Sequence, residues 1–151
     1  MRREERAIKS PVEIERIIHE AEVLRVAFSR NDRPYLVPMC FGYAEDVFYC
    51  HSAPEGTKID MLRANPNVCF ECEAESEVVP GDPACRWAMK YRSVIGFGRA
   101  TLVDDDDEKM RALQTIMEHY SGERPDIPQE GLRRTAIIRI DVESMTGKAA
   151  G

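Results

Sequence analysis

The stretch Tyr35-Leu36-Val37-Pro38-Met39-Cys40-Phe41-Gly42-Tyr43-Ala44-Glu45-Asp46-Val47-Phe48-Tyr49-Cys50-His51 sets the architecture of this chain. Tyr35 to Tyr43 reads as a strand, Ala44-Glu45-Asp46 as a polar turn, and Val47 to His51 as the strand that returns beside it. So short a link suits antiparallel pairing, since parallel neighbours need a crossover of a dozen or more residues. Pro38 has no N–H to give a ladder, so it belongs on an edge strand, at a bulge or beside a ligand.

The same logic extends outward. Val23 to Phe28 is a preceding strand that ends at the polar turn Ser29-Arg30-Asn31-Asp32-Arg33. Val68 to Val78, Arg92 to Val103 and Thr135 to Val142 supply three more. Glu71, Glu73, Glu75 and Glu77 alternate along the first of these, which predicts an acidic side facing solvent. Gly96 and Gly98 interrupt the second, and glycines inside a strand mark a bend or a close backbone approach.

Three helices lie between the strands. Ser10 caps the first, Pro11 suits its first turn, and Glu13 sits where a capping box puts its acid. Ile14, Ile17, Ile18 and Ala21 follow as one apolar stripe. Thr57 to Ala64 forms a short second helix that Asn65-Pro66 stops. Asp104 to Asp107 precede the third, which carries Met110, Leu113, Ile116, Met117 and Tyr120 in period. Acids in a first turn complement the helix dipole, so that run needs no ligand. His19 and His119 fall within helices among charged neighbours and are expected at the surface, and Arg124 to Arg134 reads as a loop. The pattern predicts a mainly β (α+β) fold: six antiparallel strands in a closed or nearly closed barrel with peripheral helices, one domain over residues 1–151.

Composition limits the function. With 43% hydrophobic and 32% charged residues among 151, the chain is neither a disordered tail nor a disulfide miniprotein. A net charge of −6 argues against nucleic acid, whose binders rely on clustered Lys and Arg. No run approaches the roughly 20 apolar residues needed to span a bilayer. The N-terminal residues Met1 to Arg6 do not read as a signal peptide, so a cytoplasmic location is expected. Five cysteines then fit reduced thiols better than a disulfide framework. Cys69 and Cys72 have C-x-x-C spacing, but on a strand such positions point to opposite faces, and no second pair completes a zinc site. No metal centre is expected.

The segment Tyr49 to Ile59 runs from a strand through a loop of small residues into a helix N-terminus. Unpaired amides and the positive end of the helix dipole favour an anion there; Ser52 and Thr57 add hydroxyls and Lys58 a full charge. The glycine spacing is not that of a Walker loop. A second basic cluster, Arg86-Trp87-Ala88-Met89-Lys90-Tyr91-Arg92-Ser93, reads most simply as a solvated loop anchored by its tryptophan. Gly96-Phe97-Gly98 is no dinucleotide fingerprint, because no helix follows it. No serine–histidine–acid or H-E-x-x-H arrangement supports hydrolysis.

Tyr35-Leu36-Val37-Pro38-Met39, Phe41-Gly42-Tyr43, Phe48 to Ala53, Gly56-Thr57-Lys58 and Tyr91 to Ala100, in this order and spacing, resemble the flavin-binding split-barrel superfamily. The nearest branch is that of pyridoxamine 5′-phosphate oxidase and the 5-nitroimidazole-resistance reductases. The resemblance runs from the first helix to Met145-Thr146-Gly147-Lys148. It implies a homodimer holding FMN in a groove between subunits, with the strand of Val37, Pro38 and Met39 against the flavin ring. It places His51, Ser52, Ala53, Thr57 and Lys58 towards the ribityl phosphate, and Tyr91, Arg92 and Ser93 in a further flavin-contacting segment. The basic residues that hold substrate phosphate in pyridoxamine phosphate oxidases are not recognisable, so vitamin B6 oxidation is not expected. The implied activity is an FMN-dependent oxidoreductase passing electrons from NAD(P)H to a small acceptor such as a nitroaromatic. His51 is the candidate catalytic residue, because imidazole is the side chain best suited to exchanging protons near neutral pH. The alternative is a flavin- or haem-binding module without turnover, a sensor or store.

Overall fold

The run read as one strand from Tyr35 to Tyr43 divides at Cys40, and that break shapes the molecule. In the computed structural model, which describes residues 4–151, Arg33–Met39 (β3) and Phe41–Ala44 (β4) are separate strands. The other strands are Ala7–Ile8 (β1), Leu24–Arg30 (β2), Val47–Ser52 (β5), Asn67–Val79 (β6), Ala88–Leu102 (β7) and Ala136–Ala150 (β8). All pairing is antiparallel, in the order β3-β2-β6-β7-β8-β5-β4, with β1 added to the end of β8. The described residues thus form eight strands, not six. β3 and β4 are opposite ends of one curled sheet, so at Cys40 the chain steps from one free edge to the other. The barrel stays split along that line. As an edge strand β3 tolerates both Pro34 and Pro38.

The helices are Pro11–Glu20 (α1), Thr57–Ala64 (α2), Asp106–Ser121 (α3) and Gln129–Arg134 (α4), the last within the stretch expected to be a loop. Ser10 does precede α1, but its side chain makes no capping bond; Asp105 caps α3 by accepting from the Glu108 amide at 2.8 Å. The stripe Ile14, Ile17 and Ile18 of α1 and the residues Ile59, Met61 and Leu62 of α2 share one core with the inward side chains of the sheet. Phe41, Phe48 and Phe70 form its aromatic spine, with ring centroids 5.7 and 4.8 Å apart. Gly96 lies where the sheet leaves no room for a side chain: a Cβ there would stand 2.6 Å from the Ser144 carbonyl oxygen and collide with the Phe70 ring.

Two expectations change. A bulge between Glu73 and Glu75 shifts the register, so Glu71 and Glu73 share a face with Ile95 and Ser93, whereas Glu75 aligns with Arg92 on the opposite one. The glutamates are consequently not one solvated face. Arg25 donates to Glu71 and Glu73 at 3.0 and 3.4 Å, while Lys90 and Arg92 hold Glu75 at 2.8 and 3.2 Å and keep its carboxyl below the usual range. That pairing also neutralises most of the basic cluster around Trp87, a residue that is itself 57% exposed and does not anchor the loop in the core. His119 is not a surface residue: it is half-buried against Phe41, and its Nε2 donates to the Ala21 carbonyl at 2.7 Å.

The outside of the barrel is covered unevenly. α3 lies on the β4–β5 side, sealing Ile137 beneath Ala112. On the β3-β2-β6-β7 side the register aligns Leu36, Ala27, Cys69 and Phe97 in one row, with Pro38, Arg25, Glu71 and Ile95 in the next. Leu36, Phe97 and Ile95 are 62%, 55% and 48% exposed there. Cys69 belongs to this outer face and Cys72 to the core, and burial raises both thiol pKa values, as the strand reading of the C-x-x-C spacing requires.

Candidate functional site

The split gathers most of the residues singled out from the sequence. Phe41 pairs with Cys50, so the neighbouring Cys40 and His51 flank the point where the chain crosses between edges. The end of β3 supplies Val37, half-buried against the core, Pro38, exposed on the outer face, and Met39, buried. The end of β5 supplies His51, exposed, and Ser52, buried. Ser52 Oγ donates to the Ala53 carbonyl at 2.8 Å, which stiffens the loop leaving the sheet.

That loop ends at Gly56, the N-cap of α2, with φ +125° and ψ 174°. Only glycine adopts this region readily. The turn lets Gly56 accept from the Ile59 and Asp60 amides at 3.0 and 3.1 Å. The Thr57 and Lys58 amides, which come just before these, have no backbone acceptor among the described residues, as the first amides of any helix do not. Lys58 is half-buried and makes no ion pair among the described residues.

A cavity of about 590 Å³ lies between α2 and the hairpin of β2 and β3. Thr57, Asp60 and Met61 form one wall; Arg30, Arg33 and Tyr35 form the other. Lys58 follows Thr57 by about 100° of helix and does not line this cavity. The two arginines escaped sequence reading, which took them as part of a polar turn. The usable signal was their spacing: Arg30 and Arg33 flank Asn31-Asp32, and such a pair brackets a two-residue hairpin.

Tyr91, Arg92 and Ser93 are not at the split. Tyr91 and Ser93 lie towards the other end of the bare outer face, in register with Lys148 and Ala150 of β8. Arg92 turns to the other side and is held by Glu20 at 2.6 Å and Glu75 at 3.2 Å. No helix among the described residues is long and apolar enough to cross a membrane.

The geometry fits a flat ring on the edge of β3 and a phosphate at the start of α2. Pro38 leaves a stretch of edge without an N–H to attract another strand, and the α2 start at Gly56, with Lys58 in its first turn, can take an anion.

Known proteins bear on this arrangement. The family model described as pyridoxamine 5′-phosphate oxidase matches residues 10–149. An uncharacterized protein of Rhizobium meliloti is 34% identical over 154 residues, covering 95% of this chain and 94% of that one. The crystal structure of a candidate 5-nitroimidazole antibiotic resistance protein from Bacteroides thetaiotaomicron superposes with a TM-score of 0.84 at 35% identity, covering 94% of this chain and 85% of that one. An FAD-binding protein from Mesorhizobium loti shares the fold at 24% identity, with a TM-score of 0.70 and coverage of 97% and 98%.

Proposed function

Because the chain belongs to the pyridoxamine 5′-phosphate oxidase family, we propose that it is a flavin-dependent oxidoreductase of the cytoplasm, working as a homodimer with FMN between subunits. The electrons come from a nicotinamide donor and pass to a small acceptor such as a nitroaromatic. The observation that carries this reading is a proline-bearing edge strand, β3, faced across a cavity near its hairpin end by an open helix start whose lysine makes no ion pair among the described residues.

Bound there, FMN supplies the redox chemistry, exchanging a hydride or single electrons through its ring. Val37, Pro38 and Met39 lay a flat wall beside the ring. The Thr57 and Lys58 amides and the Lys58 charge hold the phosphate, while Ser52 and Ala53 fix the loop that aims them. His51, exposed beside the split, holds or delivers a proton to the acceptor. Tyr91 and Ser93 border the interface, because they lie on the bare outer face that a second copy covers. Leu36, Ile95 and Phe97 supply the apolar contact for that copy.

Purified protein answers the main question. A blue-absorbing, dimeric protein that bleaches anaerobically with NAD(P)H and recovers with a nitroaromatic supports the proposal. A Soret band would identify a haem module, bound flavin that never bleaches would identify a silent binder, and failure to bind FMN on titration would end the flavin reading.

A further inference from the structure

We propose that Arg30 and Arg33 form a second phosphate subsite, separate from that of Lys58, which receives a nucleotide phosphate other than the phosphate of FMN. The inference rests on the flavin reading above for the place of the first phosphate. Its own grounds lie in the hairpin. Asn31 and Asp32 have φ of 50° and 60°, the double left-handed turn of a two-residue hairpin. The turn places Arg30 directly opposite Arg33. Like charges in that position destabilise a hairpin. Neither arginine has an ion-pair partner among the described residues, so nothing in the chain offsets their mutual repulsion.

Direction adds to the case. Strand parity puts Arg30 and Arg33 on the same side as Phe28 and Tyr35, which is the side facing α2. Both therefore line the cavity of about 590 Å³, a volume suited to a nucleotide-sized group. Across from them stand the Thr57 hydroxyl and the Asp60 carboxylate. Two guanidiniums against one carboxylate leave the walls positive. A carboxylate near a phosphate cradle suits ribose hydroxyls, and the Tyr35 ring, 41% exposed, offers a surface for a base. Since Lys58 does not line this space, a flavin phosphate held by Lys58 leaves the cavity free. The nucleotide phosphate comes either from the adenylyl half of FAD or from the nicotinamide donor, and the chemistry of the walls is the same for both.

Calorimetric titration of the apo-protein with FMN, FAD and NADPH tests the assignment. Arg30→Ala and Arg33→Ala are each expected to weaken FAD or NADPH by about ten- to a hundredfold, the range for a lost charge-assisted contact. FMN should change by less than about threefold, well under the tenfold of 1.4 kcal/mol. Arg33→Lys should restore part of the loss, because a charge returns without the planar fork. Both alanine variants should unfold at the parent temperature or slightly above it, since a like-charge pair has been removed. Loss confined to FAD places the nucleotide on the flavin, and loss confined to NADPH places it on the donor. Equal loss for FMN, no loss for either nucleotide, or a parent that binds neither would overturn the subsite. Arginine-dependent NADPH binding by a parent that ignores FMN would instead remove the flavin reading and leave the subsite standing.

Discussion

Replacing Lys58 with alanine separates a ligand contact from a structural role. α2 is fixed by Ile59, Met61 and Leu62, all buried in the main core, and not by Lys58, whose charge is uncommitted among the described residues. A lysine in a first helical turn also opposes the helix dipole, so its removal should leave folding unchanged or add about 0.3–1 kcal/mol. A charge-assisted hydrogen bond to phosphate is worth about 1.5–3 kcal/mol, which is about ten- to a hundredfold in affinity. Lys58→Ala should therefore weaken FMN by that factor and riboflavin, which has no phosphate, by far less. Raised salt should lower the parent's FMN affinity more than the variant's, because only the parent has the interaction to screen. Fluorescence titration of apo-protein with both flavins gives the answer. Equal losses for the two flavins, or none for either, would remove Lys58 from the site and return it to solvent.

Three other outcomes follow from particular contacts. His51→Ala should alter turnover or the flavin spectrum while thermal unfolding stays within about 0.5 kcal/mol of the parent, as exposed positions usually do; an unchanged enzyme would make His51 structural. Gly96→Ala should cost about 1–3 kcal/mol in denaturant unfolding, since the Ser144 carbonyl at 2.6 Å is backbone and cannot swing aside; a neutral result would mean β7 and β8 are looser than this register. His119 has its pKa lowered chiefly by burial, so as pH falls the unfolded chain takes up the proton first. That contribution is complete above the ordinary histidine value near 6.5, declines as pH drops below it, and levels off under the folded value. Denaturant midpoints between about pH 7.5 and 5 should fall more for the parent than for His119→Gln, whose amide can still donate to Ala21; parallel slopes would exclude His119 as the source.

The fold was legible wherever a local rule had only one outcome. The three residues between Tyr43 and Val47 allowed antiparallel pairing alone, and the helical stripe of Ile14, Ile17 and Ile18 is buried as its period demands. The break at Cys40 was not legible, because the residues on both sides are equally strand-like and only the curling of the whole sheet puts β3 and β4 at opposite edges. The single-residue bulge near Ala74 was hidden for a related reason: alternation of Glu71, Glu73, Glu75 and Glu77 is perfect in sequence, and one inserted residue reverses the side on which the later ones emerge. Sequence likewise located the helix start at Thr57 but not the wall opposite it, since Arg30 and Arg33 reach that cavity only after the hairpin folds over α2.

The outer surface shows the same limit and leads to the site. Phe97 of β7 and Ile137 of β8 both project outward from the barrel, and period-two patterning treats them alike. Yet Ile137 is fully buried and Phe97 is 55% exposed. The difference is α3, which covers the β4–β5 side of the sheet and leaves the other side to Leu36, Ile95 and Phe97. A hydrophobic surface left open by one chain is explained by a second copy more readily than by solvent. Pro38 stands in the next row of that same surface, at its free edge, where strand addition is blocked by the missing N–H. A second copy packed on the apolar rows would thus meet the first beside Pro38, and the groove at that edge would be walled by both chains. Phe97→Arg should therefore reduce dimerisation and flavin retention together, with monomer folding intact; a monomer that kept its flavin would show that one chain suffices for the groove.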